Sequence, residues 1–351
     1  MPDPLVSVVI PVFNAADTLA ETLRSAAAQT YKPIEIVVVD DGSTDESAAI
    51  ASAFCEAAPG RRLLVQPNAG VAAARNAGIA ASHGDYIAPL DADDLWHPAK
   101  IARQVAAAQA SAQPPGFVYC WSRYVDGRGM VIGHVEALNI SGFAPARHAW
   151  KNFVGNGSAP LLWRPAVESV GGYDPRMRGD GLNNCKDLAL QRAIAARFPV
   201  ACVPEFLVGY RVGRPSMSGD PERMFGSWSH VAAAFPAAGP AKRWALAERS
   251  LELAEHRASR GRPVGAAERL AAALLRDPRR TSLYLAYRLA RRLAKRRSPP
   301  DTEPPRHFAD WQPDEPPRGD PFPLPAWEAR LARLDARRER RLAASDRAAR
   351  R

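Results

Sequence analysis

Short apolar runs alternate with helix-period stretches through the first hundred residues. Val6 to Val12 is an apolar, β-branched run that reads as a buried strand. Leu19, Leu23 and Ala26 then recur at helical spacing, and the box Thr18-Leu19-Ala20-Glu21 predicts that Thr18 opens this helix. Ile34 to Val39 reads as a second strand, and Ser43-Thr44-Asp45-Glu46 repeats the capping-box spacing ahead of an Ala-rich helix. Arg62 to Val65 is a short third strand, Gly70 to Ser82 a small-residue helix, and Tyr86 to Leu90 a fourth strand running into Asp91-Ala92-Asp93-Asp94. Pro98 suits the first turn of a further helix. Such alternation predicts an α/β class with a mostly parallel, Rossmann-like sheet between flanking helices.

After residue 115 the rhythm turns to α+β. Phe117 to Trp121 and Ala159 to Trp163 read as strands, and Asp126-Gly127-Arg128-Gly129 as a turn. The Gly-, Asp- and Asn-rich stretch from Asp174 to Asn184 predicts a mobile loop leading into a helix from about Lys186 to Arg197. The organisation expected is one large domain over 1–235 and a helical appendage over 240–297. A Pro-rich linker over 298–325 and a basic tail over 326–351 follow, the tail a helix with Trp327, Leu331 and Leu334 on one side or else disordered.

Charge changes this picture only at the C-terminal end. The formal net charge is +10, yet six basic residues without an acid lie between Arg288 and Arg297, and nine Arg against four acids between Glu328 and Arg351. Together these stretches exceed the whole surplus, so the first half is near neutral, which argues against a nucleic-acid groove there. The basic tail suits either an anionic membrane surface or a solvated extension. No stretch approaches the ~20 apolar residues of a membrane span, and Met1 to Val6 lacks the pattern of a secretory signal. The expected location is therefore cytoplasmic, with any membrane contact peripheral. Cys55, Cys120, Cys185 and Cys202 have neither C-x-x-C nor zinc-ligand spacing and read as reduced thiols.

The chemistry gathers at strand ends, where open α/β sheets bind ligands. Asp40-Asp41 and Asp91-Ala92-Asp93 both follow strands. Two carboxylates one residue apart on such a turn can share a magnesium or manganese ion that also holds diphosphate oxygens. An isolated D-x-D is more often a solvated turn capping the next helix. His97, just beyond, either adds to such a metal shell or caps that helix.

Four motifs in order change the weight of that reading. Val8-Val9-Ile10-Pro11-Val12-Phe13-Asn14, Ile36-Val37-Val38-Val39-Asp40-Asp41-Gly42-Ser43, Asn68-Ala69-Gly70 through Arg75-Asn76-Ala77-Gly78, and Leu90-Asp91-Ala92-Asp93-Asp94 together resemble the family-2 glycosyltransferases. The resemblance covers about residues 5–220 and implies a GT-A fold, a nucleotide-sugar donor such as a UDP-sugar, a divalent metal and an inverting mechanism. It implies that Pro11 and Phe13 line the base and ribose slot, that Asp41 accepts hydrogen bonds from the base, and that Arg75 lies near the nucleotide. Asp93 would be the principal metal ligand, with Asp91 contacting sugar or ribose and sharing the metal. Phe13 as plain core packing and Asp41 as a helix N-terminal charge are the bland readings of the same residues.

Gly171-Gly172-Tyr173-Asp174 followed by Cys185-Lys186-Asp187-Leu188 resembles the family's loop and Glu-Asp base motif, which implies Asp187 as general base. Lys186 stands where Glu is usual, and Asp180 is a second candidate. Tyr210-Arg211 and Ser216-Met217-Ser218 resemble a segment near the donor diphosphate, where Arg211 would neutralise phosphate or else be a surface arginine. Gly155-Asn156-Gly157-Ser158 resembles an acceptor-side loop. The acceptor implied is a saccharide or glycolipid, in cell-surface polysaccharide synthesis. Competing readings are a receiver domain built on Asp40, Asp41 and Asp91, and a nucleotidyltransferase, for which no Gly-rich loop follows the first strand. A catalytically weakened sugar-nucleotide-binding or scaffold protein of the same fold is motivated by Lys186.

Overall fold

The computed structural model describes residues 3–178, 185–213, 221–234, 239–279, 281–286, 306–314 and 325–349. Strands β1 (Val6–Val12), β2 (Ile34–Asp40), β3 (Arg61–Val65) and β4 (Tyr86–Pro89) run parallel in the order β3-β2-β1-β4. Every residue of β1 is buried, as a parallel strand covered by helices on both faces requires. Three helices alternate with these strands: α1 (Ala16–Ala27), α2 (Ser47–Glu56) and α3 (Val71–Ala80). Leu19, Leu23 and Ala26 form the buried face of α1. The small residues of α3 permit close approach, since a Cβ on Gly78 would lie 2.5 Å from the Val9 side chain.

Neither capping box forms, which corrects the expected helix starts. Thr18 lies inside α1, and its hydroxyl donates to the carbonyls of Ala15 and Ala92. Ser43 instead accepts from the amide of Asn14, and Asp45 from the amides of Ala16 and Ser47. These side chains found partners across the fold, so they stitch the loop after β1 to the loop after β2.

The sheet continues through β8 (Leu161–Trp163), β6 (Phe117–Val125), β9 (Val200–Arg211) and β5 (Leu95–Trp96), with β7 (Val131–His134) paired to β6. Here β8 is antiparallel to both β4 and β6, while β9 runs parallel to β6. The result, among the described residues, is one nine-stranded mixed sheet. Around this half pack α4 (Lys100–Gln109), α5 (Pro145–Trp150), α6 (Arg164–Ser169) and α7 (Lys186–Ala195).

Helices α8 (Pro221–Ala234), α9 (Gly239–Ser259), α10 (Pro263–Arg276) and α11 (Pro325–Ala349) follow. Two of them grip α5. Glu248 of α9 accepts from Trp150 Nε1 and Lys151 Nζ, both at 3.1 Å. Buried Asp335 of α11 accepts from the Ala146 amide at 2.6 Å and from Arg147 Nε at 2.8 Å. Trp150, Trp228, Trp244 and Leu331 share the apolar cluster beneath these bonds. Residues 306–314 pack along the sheet, with the Val131 amide donating to Arg306 O and the Phe206 amide to Pro313 O. Phe308 is buried against Leu95 and Val125, and Arg123 lies between the rings of Phe206 and Trp311. Among the described residues no helix is long and apolar enough to cross a membrane.

Candidate active site

The carboxyl ends of β1, β2 and β4 deliver Phe13, Asp41 and Asp91 to one side of the sheet. There they line a cavity of about 1170 Å³, together with Arg75, Asp93, Asp187 and Arg211. Seven of the sequence-predicted positions therefore meet in one place, and Pro11 adds an eighth. Asp180 and Ser216-Met217-Ser218 lie outside the described residues.

The acidic turn is held from three sides. Thr18 and Thr22 of α1 donate to the carbonyl of Ala92, and Thr22 also to that of Asp94. Ser158 accepts from the Asp91 amide at 3.0 Å and donates to the fully buried Asp94 at 2.5 Å. Arg211 spans the third side, its Nε on Asp93 O at 2.7 Å and its terminal nitrogens on Asp126 O and Glu21, each at 2.8 Å. Its amide donates to Asp94 Oδ1 at 3.0 Å. Arg211 is therefore not a surface arginine. It is a buried brace for the acidic turn, because the carbonyls of Asp93 and Asp126 and the Glu21 carboxylate already occupy its guanidinium. Burial, with the neighbouring Asp93 and Asp91 charges, raises the Asp94 carboxyl well above the ordinary range.

Arg75 is the centre of the constellation. It is 2% exposed, and its two terminal nitrogens reach two carboxylates from distant parts of the chain. NH1 donates to Asp187 Oδ1 at 2.5 Å, and NH2 to Asp91 Oδ1. Burial works against the charge on Arg75, but Asp187 and Asp91 together keep it firmly protonated. The Tyr173 ring stacks over its guanidinium at 5.0 Å. Asn76 fixes that ring by exchanging two hydrogen bonds with the Tyr173 backbone. Gly157 is needed beside the clamp, since a Cβ there would lie 2.8 Å from Arg75 NH2 and 3.2 Å from the Asp187 carboxyl.

Asp187 starts α7, and burial pushes its carboxyl up against the pull of Arg75, with the like charge of Asp91 adding to the rise. The adjacent Lys186 is buried, and desolvation brings its ammonium down to about 8 despite the attraction of Asp187. A carboxylate in such surroundings can take a proton from a hydroxyl.

Phe13 is 51% exposed on the cavity wall, so core packing does not account for it. Asp41 is buried, its Oδ1 accepting from Gln66 Nε2 and the Ala69 amide and its Oδ2 from the Gly70 amide. It thereby shapes the 66–70 loop as well as facing the cavity. His97 accepts from the Ala99 amide at 3.2 Å in the turn just before α4, whose first turn carries no side-chain cap. Among the described residues no group of three or more His, Cys, Asp or Glu is placed to hold a metal. Asp91 and Asp93 offer hard oxygens on one turn facing an open cavity. That suits a magnesium or manganese ion that completes its shell with substrate phosphate and water.

Tyr173, Asn76, Ser158, Gly157 and Asp94 all lay within quoted motifs without a role assigned to them. Their partners lie between 64 and 117 residues away, or, for the Gly157 contacts, on two further segments, so no local spacing announces them.

Comparison with known proteins agrees with this geometry. An uncharacterized glycosyltransferase of Rickettsia prowazekii is 40% identical over 125 residues, which is 35% of this chain and 38% of the relative's length. Two solved structures share the fold. S. aureus TarS in complex with UDP-GlcNAc gives a TM-score of 0.54 at 17% identity, over 76% of this chain and 81% of that one. The mannosyltransferase PcManGT of Pyrobaculum calidifontis, in complex with GDP-Man and Mn2+, gives 0.55 at 23% identity, over 83% and 81%. Both are GT-A glycosyltransferases, and the nine-stranded mixed sheet with its flanking helices is a GT-A fold. Residues 7–159 match the model described as Glycosyl transferase family 2, a stretch that holds the ends of β1, β2 and β4, the acidic turn and Arg75 itself.

Proposed function

We propose that the protein transfers a sugar from a nucleoside-diphosphate donor, in the first instance a UDP-sugar, to a hydroxyl of a saccharide or glycolipid acceptor, with inversion at the anomeric carbon. The observation that carries this reading is the buried Arg75 joining Asp91, on the donor turn, to Asp187 at the head of α7. Phe13 offers an exposed ring face to a base, and Asp41 a carboxylate to an imide N–H such as that of uracil. Asp93, with Asp91, would hold a divalent cation, which supplies charge neutralisation to the departing diphosphate.

Asp187 accepts the proton of the acceptor hydroxyl as that oxygen bonds to the anomeric carbon. The bond from that carbon to the diphosphate oxygen breaks on the opposite side, and its electron pair leaves with the diphosphate. Arg75 holds the base and the donor turn at a fixed separation, so both reacting ends are prearranged. Arg211, Ser158, Thr18 and Thr22 fix the acidic turn and need no contact with substrate.

The exposed arginines of α11, Arg333, Arg337, Arg340 and Arg341, fit peripheral contact with an anionic membrane at the inner face, where a lipid-linked acceptor would lie. Changing these four to Gln should abolish sedimentation with phosphatidylglycerol vesicles; unchanged sedimentation removes this contact. Lys186, buried where the family has Glu, favours one second reading, a sugar-nucleotide-binding protein with weakened catalysis. Metal-dependent hydrolysis of a donor separates the two.

The test of the donor site is calorimetric titration of UDP with Mn2+, with EDTA, and on Asp93→Ala. Binding that requires both the metal and Asp93 is expected. A folded protein that binds neither UDP nor any other nucleoside diphosphate would sink the transferase reading.

A further inference from the structure

Beyond the donor turn and Asp187, the same cavity runs on between α8, α9 and the loop that follows α5. Its far wall is aromatic and carboxylate-rich. Met224, Phe225 and Trp228 face it from α8, the first and last one helical turn apart. Glu252 and Leu253 face it from α9, and Tyr124 and Tyr210, with ring centroids 6.0 Å apart, close the sheet side.

The polar groups here form one connected set. Lys151 bonds both Glu136 and, at 3.1 Å, Glu248, while Arg249 meets Glu252 at 2.5 Å. Three carboxylates thus surround two cations. Half-buried Phe225 is backed by Arg269, whose guanidinium lies 4.9 Å from the ring centroid, and Trp228 by Arg192 at 5.6 Å. The backing arginines hold the rings in place from outside the cavity.

We propose that α8 and α9 complete a saccharide subsite at this end of the cavity, which takes a neutral pyranose unit of the acceptor. The inference rests on the transferase reading above and adds where the acceptor sits and what its chemistry is. A pyranose presents an apolar C–H face and a rim of hydroxyls. An aromatic face such as that of half-buried Phe225 covers the first, and carboxylates such as Glu252 and Glu136 accept from the second. Both cations of this wall, Lys151 and Arg249, are already paired with carboxylates, which favours a neutral sugar over an acidic one. The position follows from continuity: Asp187 and Leu188 of α7 line the same cavity as Phe225 and Glu252, so a sugar held by α8 and α9 has its hydroxyl directed towards the base.

Saturation-transfer NMR tests this on the full chain with Mn2+ and saturating UDP. The probes are the methyl glycosides of glucose, galactose, mannose and N-acetylglucosamine, with methyl glucuronide as the acidic comparison. At least one neutral glycoside should receive saturation, and the glucuronide less. Phe225→Ala and the milder Glu252→Gln should each weaken that signal at least about fivefold while UDP affinity stays within about twofold, which also shows that both variants are folded. An undiminished signal in both variants, or no neutral-glycoside signal in wild-type protein that binds UDP, overturns the subsite alone. Failure of the wild-type chain to bind UDP overturns the transferase reading and the subsite with it.

Discussion

The βα half and the helices beyond residue 220 are built on different logic. In the first, each strand delivers polar residues to one sheet edge, and loops a few residues long hold them. In the second, helices of ordinary composition are placed by a few long-range polar contacts: Glu248 on Trp150 and Lys151, and Asp335 on Ala146 and Arg147. The first arrangement makes a site that tolerates little change in place. On the proposed reading, the second makes a wall that can be reshaped for a different acceptor without disturbing the donor end.

The sharpest way to break this contrast is at Arg75. Arg75→Met leaves Asp91 and Asp187 as uncompensated neighbours in a buried setting, and should cost ~3–5 kcal/mol of stability in denaturant melts and most of the activity. Arg75→Lys keeps the charge but cannot reach both carboxylates in a fixed fork, so activity should fall more than tenfold with a smaller stability loss. Asp335→Ala probes the other logic. It strips the Ala146 amide and Arg147 of a buried acceptor and should cost about 3 kcal/mol, read as a lower Tm, with UDP affinity unchanged.

His148 adds a pH test of the same hub. It is fully buried in α5, among the described residues neither ring nitrogen has a partner at hydrogen-bond geometry, and burial, aided by Arg192, brings its imidazole down to about 3. The unfolded chain takes up this proton first, near pH 6.5, so the stability the neutral imidazole contributes is complete above that pH and is lost as pH falls from 6.5 to 3. His148→Leu should therefore lose less stability than wild type between pH 7 and pH 5, by roughly 2 kcal/mol. An identical pH profile would contradict the assignment. Phe13→Ala is the mildest change: the ring is exposed, so Tm should hold while UDP affinity falls by about tenfold, ~1.4 kcal/mol.

Much of the first half was legible. The bounds of β1 match the apolar run from Val6 to Val12, because a strand buried on both faces has to be apolar throughout. Thr18 and Ser43 were misread as caps because their partners, Ala92 O and the Asn14 amide, lie 74 and 29 residues away. The antiparallel insertion of β8 between β4 and β6 left no local signal either, since three residues, Leu161–Trp163, carry it. At the site, Asp91, Asp93, Arg75 and Asp187 could be named from motifs, but the clamp joining two of them through Arg75 spans 112 residues and needed the fold. The wall that α8 and α9 add to the cavity was hidden for the same reason: the Ala, Leu and Arg pattern of α9 predicts a helix and says nothing of where Glu248 and Glu252 point.

The most direct test of the central claim is UDP release from a panel of UDP-sugars, with and without a saccharide acceptor, by wild-type protein and by Asp187→Asn. The account predicts acceptor-stimulated release by the wild type and a loss of roughly 10²–10⁴-fold in the variant, with UDP affinity retained. Equal release by both proteins would remove Asp187 from the reaction and with it the role assigned to the Arg75 clamp.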